Sequence, residues 1–232
     1  SDGQYIPTIT PGLIKPVNEV AIVRGRELIS ILSSIEDLEE LFGKKYWVNT
    51  DITSDKTPKL YNYFRKELEI PEYGPEEFAR RTSKEYFERK SDSWVMKLYE
   101  FLDGRQESLW RAGSGNNEGV LRRKPFIRLE SGRHTTPFDE KGRAAVFLPF
   151  DGNKLDFDII KEDVIKSKAA REFIKDKLGI KEPNIFDEIK FQILPQYSRT
   201  NSNVSFDLHV QHMEAILEFY NTAGEYFKQE LK

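Results

Sequence analysis

Two of the three histidines, His209 and His212, stand three residues apart in a segment with helical apolar spacing, so one helix face would present both imidazoles. That is the start of a metal site, but no carboxylate or third histidine sits at a spacing that completes it. The pair is read as a polar helix face. His134 lies beside a hairpin turn and is read as a strand residue satisfied by the backbone rather than as a general base. Residues 113–119, GSGNNEG, invite comparison with a phosphate loop. Such a loop needs a lysine to reach the phosphates and a hydroxyl to hold the metal ion, and residues 115–120 supply neither. The dinucleotide fingerprint needs a strand directly before its glycines, where 105–112 reads as helix. A flexible loop remains. The chain has no cysteine, which excludes thiol catalysis, thiolate zinc sites and disulfides, and it has no G-x-S-x-G elbow. Its 39 carboxylates are too scattered to single out a paired acid and base. No catalytic, cofactor-binding or metal-binding set can be assembled, and no cofactor is implied.

The sharpest charge feature is Arg122-Arg123-Lys124, followed by Arg128 and Arg133, with Glu130 the only acid between Arg122 and Arg133. A basic strip beside a hairpin suits a phosphate, an acidic partner or a neighbouring domain. The net charge of −3 opposes a whole-surface nucleic-acid binder, and Phe126 is the only aromatic within the strip. Domain contact is the favoured use, with nucleic-acid binding as the alternative and a stand-alone enzyme as a third reading.

The elements that would position these residues follow from apolar periodicity. Leu28, Ile31, Leu32, Ile35, Leu38, Leu41 and Phe42 recur at helical spacing, with a break at Ser33 and Ser34 and a stop at Gly43. Thr57-Pro58 and Gly74-Pro75 open further helices, the latter running on to Tyr86 and Phe87. Ser91 caps a helix whose stripe is Trp94, Val95, Leu98, Phe101 and Leu102. Residues 125–129, 134–137 and 144–148 read as short strands of a small antiparallel sheet. Ser167 and Asn184 begin two helices, the second ended by Pro195, and a last helix carries Leu208, Met213, Ile216, Leu217 and Tyr220. No internal repeat is evident. The expected class is α+β: a helical region over 1–112, the loop 113–119, and a second region over 120–232 with a small sheet and C-terminal helices.

With 38% hydrophobic and 12% aromatic residues the chain has ample material for a core. No apolar run spans a bilayer and no secretion signal is evident, so a cytoplasmic setting without membrane contact is expected. The start Ser1-Asp2-Gly3, without methionine, reads as the interior of a longer protein.

DGQYIPT at 2–8, WVMKLYEFL at 94–102 and KPFIRLESG at 124–132, with FLP at 147–149 and ILPQY at 193–197, together resemble the region after the ATP-binding domain of sacsin-like proteins. Those proteins carry an ATPase of the gyrase, chaperone and histidine-kinase type. The order of the blocks, more than any single one, carries the resemblance. It implies a middle region that packs against, or relays from, an upstream ATPase domain of the same polypeptide and meets other proteins. The nucleotide-binding motifs of that ATPase do not occur here, so no ATP-contacting residue carries over.

Overall fold

In the computed structural model the described residues are 5–23, 28, 31–32, 34–104, 106–113, 117–151, 157–197 and 204–224. Helix starts are set by short polar side chains that accept otherwise unpaired backbone N–H groups. Ser34, Ser83, Ser91, Ser167 and Ser205 each take the N–H three residues on, and Asn184 forms a reciprocal capping box with Asp187.

The chain opens with an antiparallel hairpin, β1 (Tyr5–Pro7) and β2 (Ile14–Pro16). β3 (Val20–Val23) then forms the centre of a three-stranded parallel sheet, between β4 (Tyr46–Trp47) and β5 (Glu72–Tyr73). α1 (Ile35–Phe42) crosses from β3 to β4, and α2 (Pro58–Asn62) runs through a π turn toward β5. Next come α3 (Pro75–Arg81), α4 (Lys84–Glu88), α5 (Asp92–Asp103) and α6 (Glu107–Trp110). A second hairpin, β6 (Ile127–Arg128) and β7 (His134–Thr135), begins the remaining part. It is followed by α7 (Lys168–Glu172), α8 (Ile185–Glu188), α9 (Leu194–Tyr197) and α10 (Phe206–Thr222). The fold is α+β.

Three expectations need correction. The first hundred residues hold a hairpin and a parallel sheet, whose two- to four-residue strands are too short to register as alternation. The segment that carries Phe78, Tyr86 and Phe87 is two helices, interrupted where Thr82 turns extended. Pro195 does not end its helix: it lies within α9, directly after the π turn Ile189–Ile193 that bonds Leu194 N–H back to Ile189.

A fourth correction concerns repeats. The backbone is a tandem duplication. Thr8 bridges Val48 and Leu129 bridges Ile160, both antiparallel. Around the first bridge Ile9 N–H bonds Trp47 and Asn49 N–H bonds Pro7; around the second Glu130 N–H bonds Ile159 and Lys161 N–H bonds Arg128. Val48 N–H bonds Ala21, as Ile160 N–H bonds Phe147, and Ile22 N–H bonds Pro71, as Leu148 N–H bonds Lys181. The helical halves agree too. α2 and α7 each run into a five-residue π turn, after which Leu68 N–H bonds Tyr63 and Leu178 N–H bonds Phe173. A left-handed residue follows, Glu69 at φ 52° in one and Gly179 at φ 72° in the other, and then a buried isoleucine, Ile70 or Ile180. Sequence identity across this stretch is confined to Leu68, Ile70 and Glu72 against Leu178, Ile180 and Glu182. Insertions such as α1 destroy any fixed period, which hides the duplication from the sequence.

The two repeats share a core. One apolar cluster runs from Ala21 to Ile180 and includes Leu109 and Trp110 before residues 113–119 and Leu121 and Phe126 after them. α5 of the first repeat packs on α7 and its flanking turns in the second. Tyr99 of α5 contacts Phe126 and Phe173, with ring centroids 6.2 and 6.0 Å away.

Candidate functional site

The basic strip lies along this junction, where the 3₁₀ turn Val120–Arg123 leads into β6. Lys124 Nζ donates to the carbonyls of Arg80 (2.9 Å) and Thr82 (2.8 Å), at the C-terminal end of α3. An ammonium suits that position, where unpaired carbonyls carry the negative end of the helix dipole. Arg128 donates to the carbonyl of Lys90 at 3.0 Å, and its Nε stands 2.7 Å from Asp92 Oδ1, close as an ion pair though off the hydrogen-bond line. Lys161 pairs with the other oxygen of Asp92 at 2.5 Å. Asp92 is the first residue of α5, so one carboxylate at a helix N-terminus gathers two cations from the second repeat.

Arg122 turns the other way. Its guanidinium stacks 3.6 Å over the Phe138 ring, stands 3.7 Å from Glu118 and donates to the carbonyl of Trp110. Burial lowers its pKa, against the opposing pull of Glu118. Together with Glu118, Arg123, Thr136 and Asp139 it lines an open cleft of about 440 Å³. Arg123 and Arg133 are the solvent-facing members, 80% and 68% exposed, and each pairs with one acid, Glu118 and Asp158 respectively. The five residues therefore do not form one field. Lys124 and Arg128 hold the first repeat, Arg122 is stacked and paired, and the two exposed arginines point to solvent beside acids. The partners Asp92, Lys161 and the α3 carbonyls were not foreseeable, because each lies tens of residues away in the chain. The clearest clue was Tyr99, a hydroxyl inside an apolar stripe, which accepts from Arg128 N–H and donates to the Phe126 carbonyl.

Of the histidines, His134 is placed differently from expectation. His134 is buried and stacks on Phe87, ring centroids 6.0 Å apart, but neither ring nitrogen finds a protein partner, so the backbone does not satisfy it. Burial, reinforced by the charge of Arg128, lowers its pKa to about 4 even though Asp92 pulls the other way. The imidazole is neutral at pH 7. His209 and His212 both reach the Tyr197 hydroxyl through Nδ1, at 3.1 and 3.0 Å. Among the described residues no group of three or more histidines and carboxylates is arranged to hold a metal ion.

The loop 113–119 has residues 114–116 outside the described set, but its ends are held. Gly119 N–H bonds Arg111, and Arg111 Nε donates to the carbonyl of Asn117. Gly119 also lies flat on the backbone of Leu109 and Trp110, where a Cβ would fall 2.4 Å from Trp110 N. No helix among the described residues is long and apolar enough to cross a membrane. Comparison with protein-family models, curated proteins and solved structures gives no match to this chain.

Proposed function

We propose that this chain is a non-catalytic interaction region of a larger cytoplasmic protein of the sacsin-like kind, packing against or relaying from an upstream ATP-binding domain. The observation that supports this reading is the use made of the strongest charges. Lys124, Arg128 and Lys161 are spent on the end of α3, the Lys90 carbonyl between α4 and α5, and Asp92 of α5 in the first repeat, joining two α+β units through one shared core. Such a joint suits a part that transmits position from one end to the other. A nucleic-acid reading has less to draw on: within the strip of Arg122, Arg123, Lys124, Arg128 and Arg133, Arg123 and Arg133 are the two that face solvent, and each stands beside an acid.

Calorimetric titration with Mg-ATP tests the first half of this reading, and no defined binding is expected. Fluorescence anisotropy with short single- and double-stranded oligonucleotides across a salt series tests the second. Micromolar ATP binding, or sub-micromolar, salt-sensitive oligonucleotide binding lost on Arg123→Glu with Arg133→Glu, would overturn it.

A further inference from the structure

The duplication makes the faces of the two repeats comparable position by position. Following the matched hydrogen bonds, Tyr5 corresponds to Phe126, Ile14 to His134, Leu60 to Ala170 and Tyr63 to Phe173. In the second repeat all four are buried by the first: Phe126 and Phe173 against Tyr99, His134 against Phe87, and α7 with its flanking turns along α5. In the first repeat their counterparts are between 40% and 61% exposed. Exposed large apolar groups gathered on one face signal an interface. Here the chain itself displays what covers the equivalent face.

The other half of that contact stands at the opposite end. α10 follows the helical part of the second repeat as α5 follows that of the first, and each begins at a serine cap, Ser205 or Ser91. α5 buries Val95, Leu98, Tyr99 and Leu102, whereas no residue of α10 is buried. Its inner side rests on the second repeat, with Phe219 against Phe186 and His212 against Tyr197. Its outer side carries Phe206, Val210, Met213 and Leu217, spaced four, three and four residues apart, the pattern of a seam that packs on other helices. Met213 lies as far beyond Ser205 as Tyr99 lies beyond Ser91.

We infer that the chain associates head to tail, with α10 of one copy seated on the Tyr5, Ile14, Leu60 and Tyr63 face of a second copy, repeating the contact that joins the two repeats. The occupant follows from continuity with that internal junction: each end exposes one half of it. The contact is heterologous, so it leaves a free head and a free tail and continues beyond a dimer. It is also weaker than the internal junction. Where Arg128 and Lys161 clasp Asp92, the first repeat has Pro7 and Asn49, so the apolar faces act without the ion pairs.

Sedimentation velocity over about a hundredfold concentration range tests this. The unmodified chain is expected to grow past dimer as concentration rises. A head-blocked variant, Tyr5→Asp with Leu60→Asp, and a tail-blocked variant, Met213→Asp with Leu217→Asp, should each stay monomeric. Their equimolar mixture should stop at a dimer, since only one good head and one good tail remain. Circular dichroism checks that each variant is folded, and Leu60→Lys replaces the head pair if its melting midpoint falls. An unmodified chain that stays monomeric throughout overturns the inference. So does a blocked variant that dimerises alone, which would indicate α10 pairing with α10, or a mixture that fails to associate.

Discussion

The hydroxyl of Tyr99 sits between two backbone groups of the second repeat, accepting the N–H of Arg128 at 3.1 Å and donating to the carbonyl of Phe126 at 3.2 Å. Tyr99 thus fixes the start of β6 to α5 while its ring packs against both Phe126 and Phe173. Tyr99→Phe keeps the ring and strips both bonds, leaving a buried donor and acceptor unpaired. Urea unfolding is expected to lose about 1–3 kcal/mol.

Asp92→Asn tests the charged clasp. It leaves Arg128 and Lys161 without an anion at a half-buried position, so a loss of about 1–3 kcal/mol is expected. Because the native pair is partly screened by solvent, raising the salt should narrow the gap between the two proteins. Unfolding curves at low and high sodium chloride would show whether it does.

His134 sets a pH dependence whose sign is fixed by its lowered pKa. The ring is neutral in the folded state down to about pH 4, while in the unfolded chain it gains a proton near its ordinary value of 6.5. Between these values the unfolded state holds more protons, so the histidine's contribution is complete above about pH 6.5 and falls as pH drops toward 4. In His134→Leu the part of the stability loss between pH 7 and pH 5 that comes from this residue should vanish. Denaturation midpoints at the two pH values measure it.

Gly119→Ala should be costly although the residue lies at the edge of a loop. The added methyl meets backbone rather than a movable side chain, 2.4 Å from Trp110 N, so the 3₁₀ turn after it must shift. A loss of about 1–3 kcal/mol is expected, read as a fall in the thermal midpoint. Gly142→Ala, which meets nothing within 4 Å but stands at φ 75°, separates strain of conformation from strain of contact.

The sequence carried local information well and long-range information poorly. The starts at Ser34, Ser91, Ser167 and Asn184, the stop at Gly43 and the stripe of α5 were legible because each depends on residues within four positions, whereas the caps at Ser83 and Ser205 were missed. β3 was not, since a strand of four residues becomes visible only through partners at Trp47 and Tyr73. The strip was legible as charge but not as use: nothing near Lys124 announces that its partners are the carbonyls of Arg80 and Thr82. Pro195 misled because a π turn before it relaxes the usual conflict between proline and helix.

The ownership of α5 has a consequence for anyone who divides this chain. By connectivity it belongs to the first repeat; by burial it completes the second, with Tyr99, Val95 and Leu102 inside the joint cluster. A single break between Gly113 and Asn117 would therefore cut the polymer without parting the particle. The two fragments should co-purify at native pH, and neither should survive alone, because each would expose its half of the shared cluster to water.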